Sequence, residues 1–163
     1  MAIIGYMGSG KTTVGRLLAR RTGRDFVDLD DELSRKAGLT IPEIFADGGE
    51  EHFRDLEQTA LLDALAGEQP CVISCGGGAI LRPENRAALR DTPTVFLRED
   101  IDVLYIRTRG DNRPLRGDSR DDFARRYAER LPLYREVADV EVHADGRAAA
   151  AIVEEVERCL SRR

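Results

Sequence analysis

Residues Gly5-Tyr6-Met7-Gly8-Ser9-Gly10-Lys11-Thr12 match the pattern Gly-x4-Gly-Lys-Ser/Thr in full. The motif follows a short apolar run and precedes an amphipathic stretch, so a strand should enter it and a helix should leave it. Glycines let the backbone approach phosphate closely, and N–H groups at a helix N-terminus attract anionic oxygens. The motif therefore predicts a nucleoside triphosphate site in which Lys11 contacts the β and γ phosphates and Thr12 binds Mg²⁺.

Short apolar runs alternate with amphipathic stretches along the rest of the chain. The predicted strands are 2–4, 26–29, 71–74, 94–97 and 140–142. The predicted helices are 11–21, 31–36, 41–65, 83–90, 101–107, 121–134 and 147–160. This alternation predicts an α/β fold, in which helices cover both faces of a parallel sheet. No repeat or linker interrupts the 163 residues, so one domain spanning 1–163 is expected.

Composition argues against several other classes of protein. A formal net charge of −5 does not favour a nucleic-acid partner. No apolar run approaches the roughly 18 residues of a membrane-spanning helix, and no signal peptide is visible, so we expect a cytoplasmic protein without a membrane partner. Three cysteines without a Cys-x-x-Cys pair, with only two histidines, do not form a zinc pattern.

The motif at residues 5–12 (the phosphate loop) does not identify the phosphoryl acceptor, which has to be sought elsewhere in the chain. The Asp-x-x-Gly and Asn-Lys-x-Asp motifs of GTPases are absent, as is the Asp-Gly-Phe/Tyr-Pro-Arg motif of nucleoside monophosphate kinases. Carboxylates follow the second predicted strand, at the sheet edge where α/β proteins bind ligands. Asp28 and Asp30 should point to one side of that strand, where one can hold Mg²⁺-bound water and the other a substrate hydroxyl. Asp31 is interpreted as a cap of the next helix.

Glycines and arginines supply the remaining candidates. The run Gly76-Gly77-Gly78 after the third strand indicates close backbone approach, which favours a loop facing the substrate. Arg54, Arg113 and Arg130 stand out by context, because the planar guanidinium suits carboxylate and phosphate, although ordinary solvated arginines are the alternative. The segment 109–120 has almost no apolar residue and is predicted to be a mobile surface segment.

In their order along the chain, these features resemble the shikimate kinase family. The matching segments are 5–16, 28–30, 44–50, 53–57, 76–79, 113–115 and 130–134. The resemblance implies transfer of the ATP γ-phosphoryl group to the 3-hydroxyl of shikimate, in aromatic amino-acid biosynthesis. It also implies a three-layer P-loop fold with a five-stranded parallel sheet in the order 2-3-1-4-5. The resemblance further implies substrate-binding helices near 31–62 and a mobile lid near 109–120. It also implies a monomer.

The resemblance implies roles for individual residues as well. The implied ATP contacts are Gly8, Ser9, Gly10, Lys11, Thr12, Thr13, Arg113 and Arg147. The implied substrate contacts are Asp30, Arg54, Gly77 and Arg130. The implied catalytic residues are Asp30, Lys11 and Arg113, and the implied Mg²⁺ residues are Thr12 and Asp28.

Within these sets, Arg54 and Arg130 would clamp the substrate carboxylate, and Asp30 would hold and deprotonate its hydroxyls. Arg113 would swing from the lid onto the phosphates. Arg147 as an adenine contact stands beside an equal interpretation, an exposed residue at the start of a helix. Two other functions stay open: a gluconate kinase of the same fold, and a regulatory protein that binds nucleotide without transferring phosphate.

Overall fold

Five short strands form one parallel sheet in the order β2-β3-β1-β4-β5, which confirms the expected order. The computed structural model describes residues 1–109 and 119–161. The strands are β1 (Ala2–Ile4), β2 (Asp25–Asp28), β3 (Cys71–Ser74), β4 (Thr94–Arg98) and β5 (Val140–His143). The central strand is fully buried, as expected for a parallel sheet covered on both faces.

Helices connect the strands and cover the sheet. They are α1 (Lys11–Thr22), α2 (Leu29–Ala37), α3 (Ile41–Ala66), α4 (Pro83–Arg90), α5 (Ile101–Arg107), α6 (Arg120–Val137) and α7 (Ala149–Leu160). Ala2 and Ile4 belong to the core formed with α2 to α6, whereas Ile3 belongs to the core formed with α1 and α7. This division follows from the alternation of side chains along a strand. None of the helices in the described ranges is long and apolar enough to cross a membrane.

Several predicted elements differ from the observed ones by one to three residues at their ends. The second strand ends at Asp28 rather than at residue 29, because the Asp28 side chain caps α2 and the chain is already helical at Leu29. The predicted helix 41–65 is bent at Gly49, which has φ 72° and ψ −170°. The predicted helix 147–160 begins only at Ala149. Arg113 and nearly all of the predicted lid lie outside the described residues.

Candidate active site

The phosphate loop connects β1 to α1 and ends at Gly10, the N-cap of α1, with φ 90°. Because glycine has no side chain to cap the helix, the first N–H groups of α1 are left for an external acceptor. The Lys11 ammonium folds back over the loop and donates to the Tyr6 carbonyl oxygen at 2.9 Å. A cavity of about 240 Å³ opens here, lined by Gly8, Gly10, Lys11, Thr12, Thr13, Asp28, Asp30, Ser74, Cys75, Gly76 and Gly77.

Thr12 and Asp28, the two residues predicted to bind Mg²⁺, are in direct contact. Thr12 Oγ1 donates to Asp28 Oδ2 at 2.7 Å, and Asp28 Oδ1 accepts from the Asp30 N–H at 3.2 Å. Mg²⁺ prefers oxygen ligands and usually keeps several waters and substrate phosphates. A hydroxyl beside one carboxylate fits that preference. The residues that the structure describes contain no cluster of three or more carboxylate, histidine or cysteine side chains that could hold a metal alone.

The helix cap and the orientation of Asp30 differ from expectation. Asp28, rather than Asp31, caps α2, and the exposed Asp31 carboxylate lies 3.8 Å from Arg16. Asp30 lies in the first turn of α2, so the strand alternation that was expected to align it with Asp28 does not apply. Both carboxylates nevertheless line the same cavity as the phosphate loop.

The triple glycine lies against charged side chains. A Cβ atom on Gly76 would lie 2.3 Å from Glu57 Oε1 and 3.2 Å from Asp30 Oδ1. A Cβ atom on Gly78 would lie 2.2 Å from Arg54 Nη1. A side chain at either position would therefore displace these carboxylates or the guanidinium from the backbone of the loop.

Arg54 is buried on α3 and is held by two carboxylates. Its Nη1 donates to Glu57 Oε2 at 2.5 Å, and its Nη2 donates to Glu50 Oε1 at 3.1 Å. Its Cζ also lies 5.0 Å from the centre of the Phe53 ring. The spacings of three and four residues place all three charged groups on one face of the helix. The guanidinium is thus fixed beside Gly78, which belongs to the loop of three glycines at 76–78 (the glycine loop).

Glu57 is a site residue that the sequence analysis did not single out. It is 2% exposed, and its Oε1 has no hydrogen-bond partner among the described residues. Burial raises the pKa of its carboxyl, Arg54 opposes that rise, and the charges of Asp30 and Arg130 also act on it. The only sequence signal was the Arg-x-x-Glu spacing on a helix. Glu57 therefore lies among three of the predicted substrate residues, Arg54, Asp30 and Arg130.

Helix α6 approaches the glycine loop from the other side. Arg130 is 9% exposed, and its Nη1 donates to the Gly77 carbonyl oxygen at 3.4 Å. The buried Tyr134 hydroxyl donates to the same oxygen at 2.5 Å. The Arg130 Cζ lies 5.5 Å from the centre of the Tyr6 ring, which belongs to the phosphate loop. These contacts connect α6, the glycine loop and the phosphate loop.

A second cavity of about 290 Å³ lies on the other side of the phosphate loop. Its lining comprises Gly8, Ser9, Gly10, Thr13, Val14, Glu99, Arg107, Ala144, Arg147, Ala149 and Ile152. Arg147 precedes α7, donates to the His143 carbonyl oxygen at 2.9 Å and pairs with Glu155 at 2.7 Å. Glu99 and Arg107 were not expected here, because no motif marks them. Gly8, Gly10 and Thr13 line both cavities, so the two are neighbours across the loop.

The chain is similar to known proteins in both sequence and structure. The family model described as shikimate kinase matches residues 7–161. A shikimate kinase from Ralstonia nicotianae is 49% identical over 139 residues, which cover 83% of this chain and 73% of that one. A shikimate kinase from Symbiobacterium thermophilum is 43% identical, with coverage of 100% of this chain and 97% of that one.

A solved structure gives the same result. The shikimate kinase from Acinetobacter baumannii, in complex with shikimate, has a TM-score of 0.95 and 36% sequence identity. The match covers 99% of this chain and 92% of that one. Sequence, family model and fold agree, and the chain belongs to the shikimate kinase family.

Proposed function

We propose that this chain transfers the γ-phosphoryl group of ATP to the 3-hydroxyl of shikimate, giving shikimate 3-phosphate and ADP. The observation that carries the proposal is the convergence of three charged side chains on one glycine loop. Asp30 lies against Gly76, and Arg130 donates to Gly77. Arg54 lies against Gly78. All three contact this loop, and its residues Gly76 and Gly77 line the phosphate cavity.

The two arginines suit the substrate carboxylate. Charge-assisted hydrogen bonds from guanidinium to carboxylate are among the strongest in proteins, and they are directional. Arg54 and Arg130 reach the glycine loop from different helices, α3 and α6, and both are at most 9% exposed. Their positions are set before substrate binds, since Glu57, Glu50 and the Gly77 carbonyl already hold them. Such preorganisation reduces the cost of orienting a bound substrate.

Asp30 is the residue placed to act on the reacting hydroxyl. Its carboxylate lines the phosphate cavity with Lys11, so an acceptor held there lies next to the γ-phosphoryl group. The hydroxyl oxygen forms a bond to the γ-phosphorus while the bond from that phosphorus to the bridging oxygen of ADP breaks. Asp30 accepts the hydroxyl hydrogen bond and takes up the proton.

The phosphate loop supplies the positive field for the transferred group. The first N–H groups of α1 and the Lys11 ammonium neutralise charge on the phosphates. Thr12 and Asp28 would hold Mg²⁺, which when bound neutralises further charge on the β and γ phosphates. The contribution of Arg113 to the phosphates, the monomeric state and the cytoplasmic location stay predictions.

The test is acceptor-dependent ADP formation with ATP and Mg²⁺, with shikimate, gluconate or no acceptor in parallel reactions. We expect rapid turnover with shikimate only, and a product whose mass is that of shikimate plus one phosphoryl group. Turnover with gluconate alone would assign the chain to the other metabolite kinase. Nucleotide binding without turnover for any acceptor would favour the regulatory protein.

A further inference from the structure

Glu99 carries a buried carboxylate whose role the proposed transfer mechanism does not explain. It follows β4 directly, and its side chain is 0% exposed. A buried carboxylate is costly unless it is paired and hydrogen-bonded, and an apolar residue would fill the same space without that cost. The groups that contact this carboxylate therefore indicate the role of its charge.

Three donors meet this carboxylate, two from the start and the end of α5 and one from the turn after β5. Glu99 Oε2 accepts from Arg107 Nη1 at 3.0 Å and from the Gly146 N–H at 3.5 Å. Glu99 Oε1 accepts from the Asp100 N–H at 3.0 Å. Arg107 Nη1 also approaches the Gly8 carbonyl oxygen of the phosphate loop at 3.4 Å. The Glu99 carboxylate thus connects α5 to the turn after β5, and Arg107 extends this connection to the phosphate loop.

The turn after β5 contains two consecutive residues with positive φ. Asp145 and Gly146 have φ values of 37° and 70°, and the Arg147 N–H donates to the Ala144 carbonyl oxygen at 2.6 Å. Two consecutive residues with positive φ are typical of a type I′ turn, in which Gly, Asn and Asp predominate. A buried acceptor on the Gly146 N–H stabilises the turn in this form. The conformation of this turn therefore sets the position of Arg147, the residue that follows it.

Glu99 also fixes the orientation of a planar cation. Glu99 pairs with one end of the Arg107 guanidinium, through Nη1. The Arg107 side chain is 43% exposed, which leaves its planar face accessible. Arg107 and Arg147 both line the second cavity, beside the phosphate loop. Planar guanidinium groups stack favourably on aromatic rings, and a fixed guanidinium loses less freedom when a ring binds. A nucleotide base is the aromatic part of ATP.

We propose that Glu99 is a positioning residue for the base of ATP: it holds Arg107 directly and Arg147 through the turn at Asp145-Gly146, and these two arginines line the base site. The proposal rests on the proposed function only in taking the second cavity as part of the ATP site. Glu99 does not touch the transferred group. It acts on nucleotide affinity and leaves the acceptor side unaffected.

The test is Glu99→Gln, which keeps the shape and an acceptor but removes the charge. We expect the KM for ATP and the dissociation constant for Mg·ADP, measured by calorimetry, to rise about fivefold, since charge-assisted hydrogen bonds are roughly twice as strong as neutral ones. The KM for shikimate should stay within about twofold of wild type, because no substrate residue contacts Glu99. Glu136→Gln is the matched control. It removes a carboxylate that pairs with Arg86 and Arg90 away from both cavities, and it should change neither constant.

Two results would overturn the proposal. One is an unchanged Mg·ADP affinity in folded Glu99→Gln, and the other is an equal rise in the KM values of both substrates, which indicates a general structural role. Arg107→Met provides a second route if Glu99→Gln does not fold. It should weaken Mg·ADP binding by a similar factor, and normal binding would contradict the assignment. Calorimetry needs no acceptor, so a wrong acceptor assignment would leave this test intact.

Discussion

Replacing Arg54 by alanine should weaken both the fold and shikimate binding, for reasons that can be separated. The Arg54 side chain is 6% exposed and donates to Glu57 at 2.5 Å. Its removal leaves the buried Glu57 carboxylate without its cation. Removing one partner of a buried ion pair costs about 3–5 kcal/mol, because an uncompensated charge stays behind. For a domain of this size, that loss lowers Tm by roughly 6–20 °C.

The loss should depend on pH in a defined direction. Burial raises the pKa of Glu57 above its ordinary value of 4.5, and Arg54 opposes this rise. Without Arg54 the pKa rises further, so the folded variant retains a proton that the unfolded chain releases. A raised pKa gives stability that is present at low pH and is lost as pH rises. The difference in Tm from wild type should therefore be smaller at about pH 5 than at about pH 8.

A second substitution separates stability from binding. Arg54→Ala with Glu57→Gln should regain most of the lost stability, since no unpaired carboxylate remains at position 57. It should not regain shikimate affinity, because the guanidinium is still absent. Loss of a charge-assisted contact worth about 1.5–3 kcal/mol raises the KM for shikimate about 10- to 150-fold in both variants.

Scanning calorimetry at the two pH values and steady-state kinetics measure these effects. A wild-type KM for shikimate in Arg54→Ala would refute the substrate role of Arg54. A Tm loss that is independent of pH, and that Glu57→Gln does not reverse, would refute the explanation through the buried carboxylate.

Three further predictions concern other parts of the molecule. Asp30→Asn should reduce kcat about 10²- to 10⁴-fold while Mg·ADP binding by calorimetry is retained; lost nucleotide binding would indicate a structural or metal role. Gly78→Ala places a Cβ 2.2 Å from the guanidinium on α3. It should raise the KM for shikimate about tenfold, whereas Gly67→Ala, whose nearest contact is 3.5 Å, is the neutral control. Arg135 holds the pKa of Glu141 at about 2, so acid unfolding curves should show stability falling by about 1 kcal/mol from pH 4.5 toward pH 2, and Glu141→Gln should lack this loss.

The fold was largely predictable because buried parallel strands have a clear sequence pattern. The predicted bounds of β1, β3, α4 and α5 agree with the structure, and each is an apolar run or amphipathic stretch with a glycine, proline or polar residue at its ends. The bend of α3 was missed because hydrophobic periodicity continues across it. The pair Gly48-Gly49 was the available signal, since sharp bends in helices occur at such residues.

The candidate site was predictable only in part. The phosphate loop and its strand–helix context follow from one motif, whereas bringing Arg54 and Arg130 to a common loop required the family resemblance. Asp28 was assigned to Mg²⁺, but its capping of α2 was missed because aspartate is favoured at several positions near a helix start. Glu57, Glu99 and Arg107 were missed for a different reason. The roles of the two glutamates depend on burial, and all three residues have neighbours in other parts of the chain, which a local pattern does not reveal.

The most direct test of the central claim compares kcat/KM for shikimate with kcat/KM for its methyl ester. The ester keeps every hydroxyl but has no carboxylate charge for the two buried arginines. Two lost charge-assisted contacts predict a fall of at least about 100-fold. Equal kcat/KM values for the acid and the ester would contradict the assignment of Arg54 and Arg130 as the carboxylate clamp.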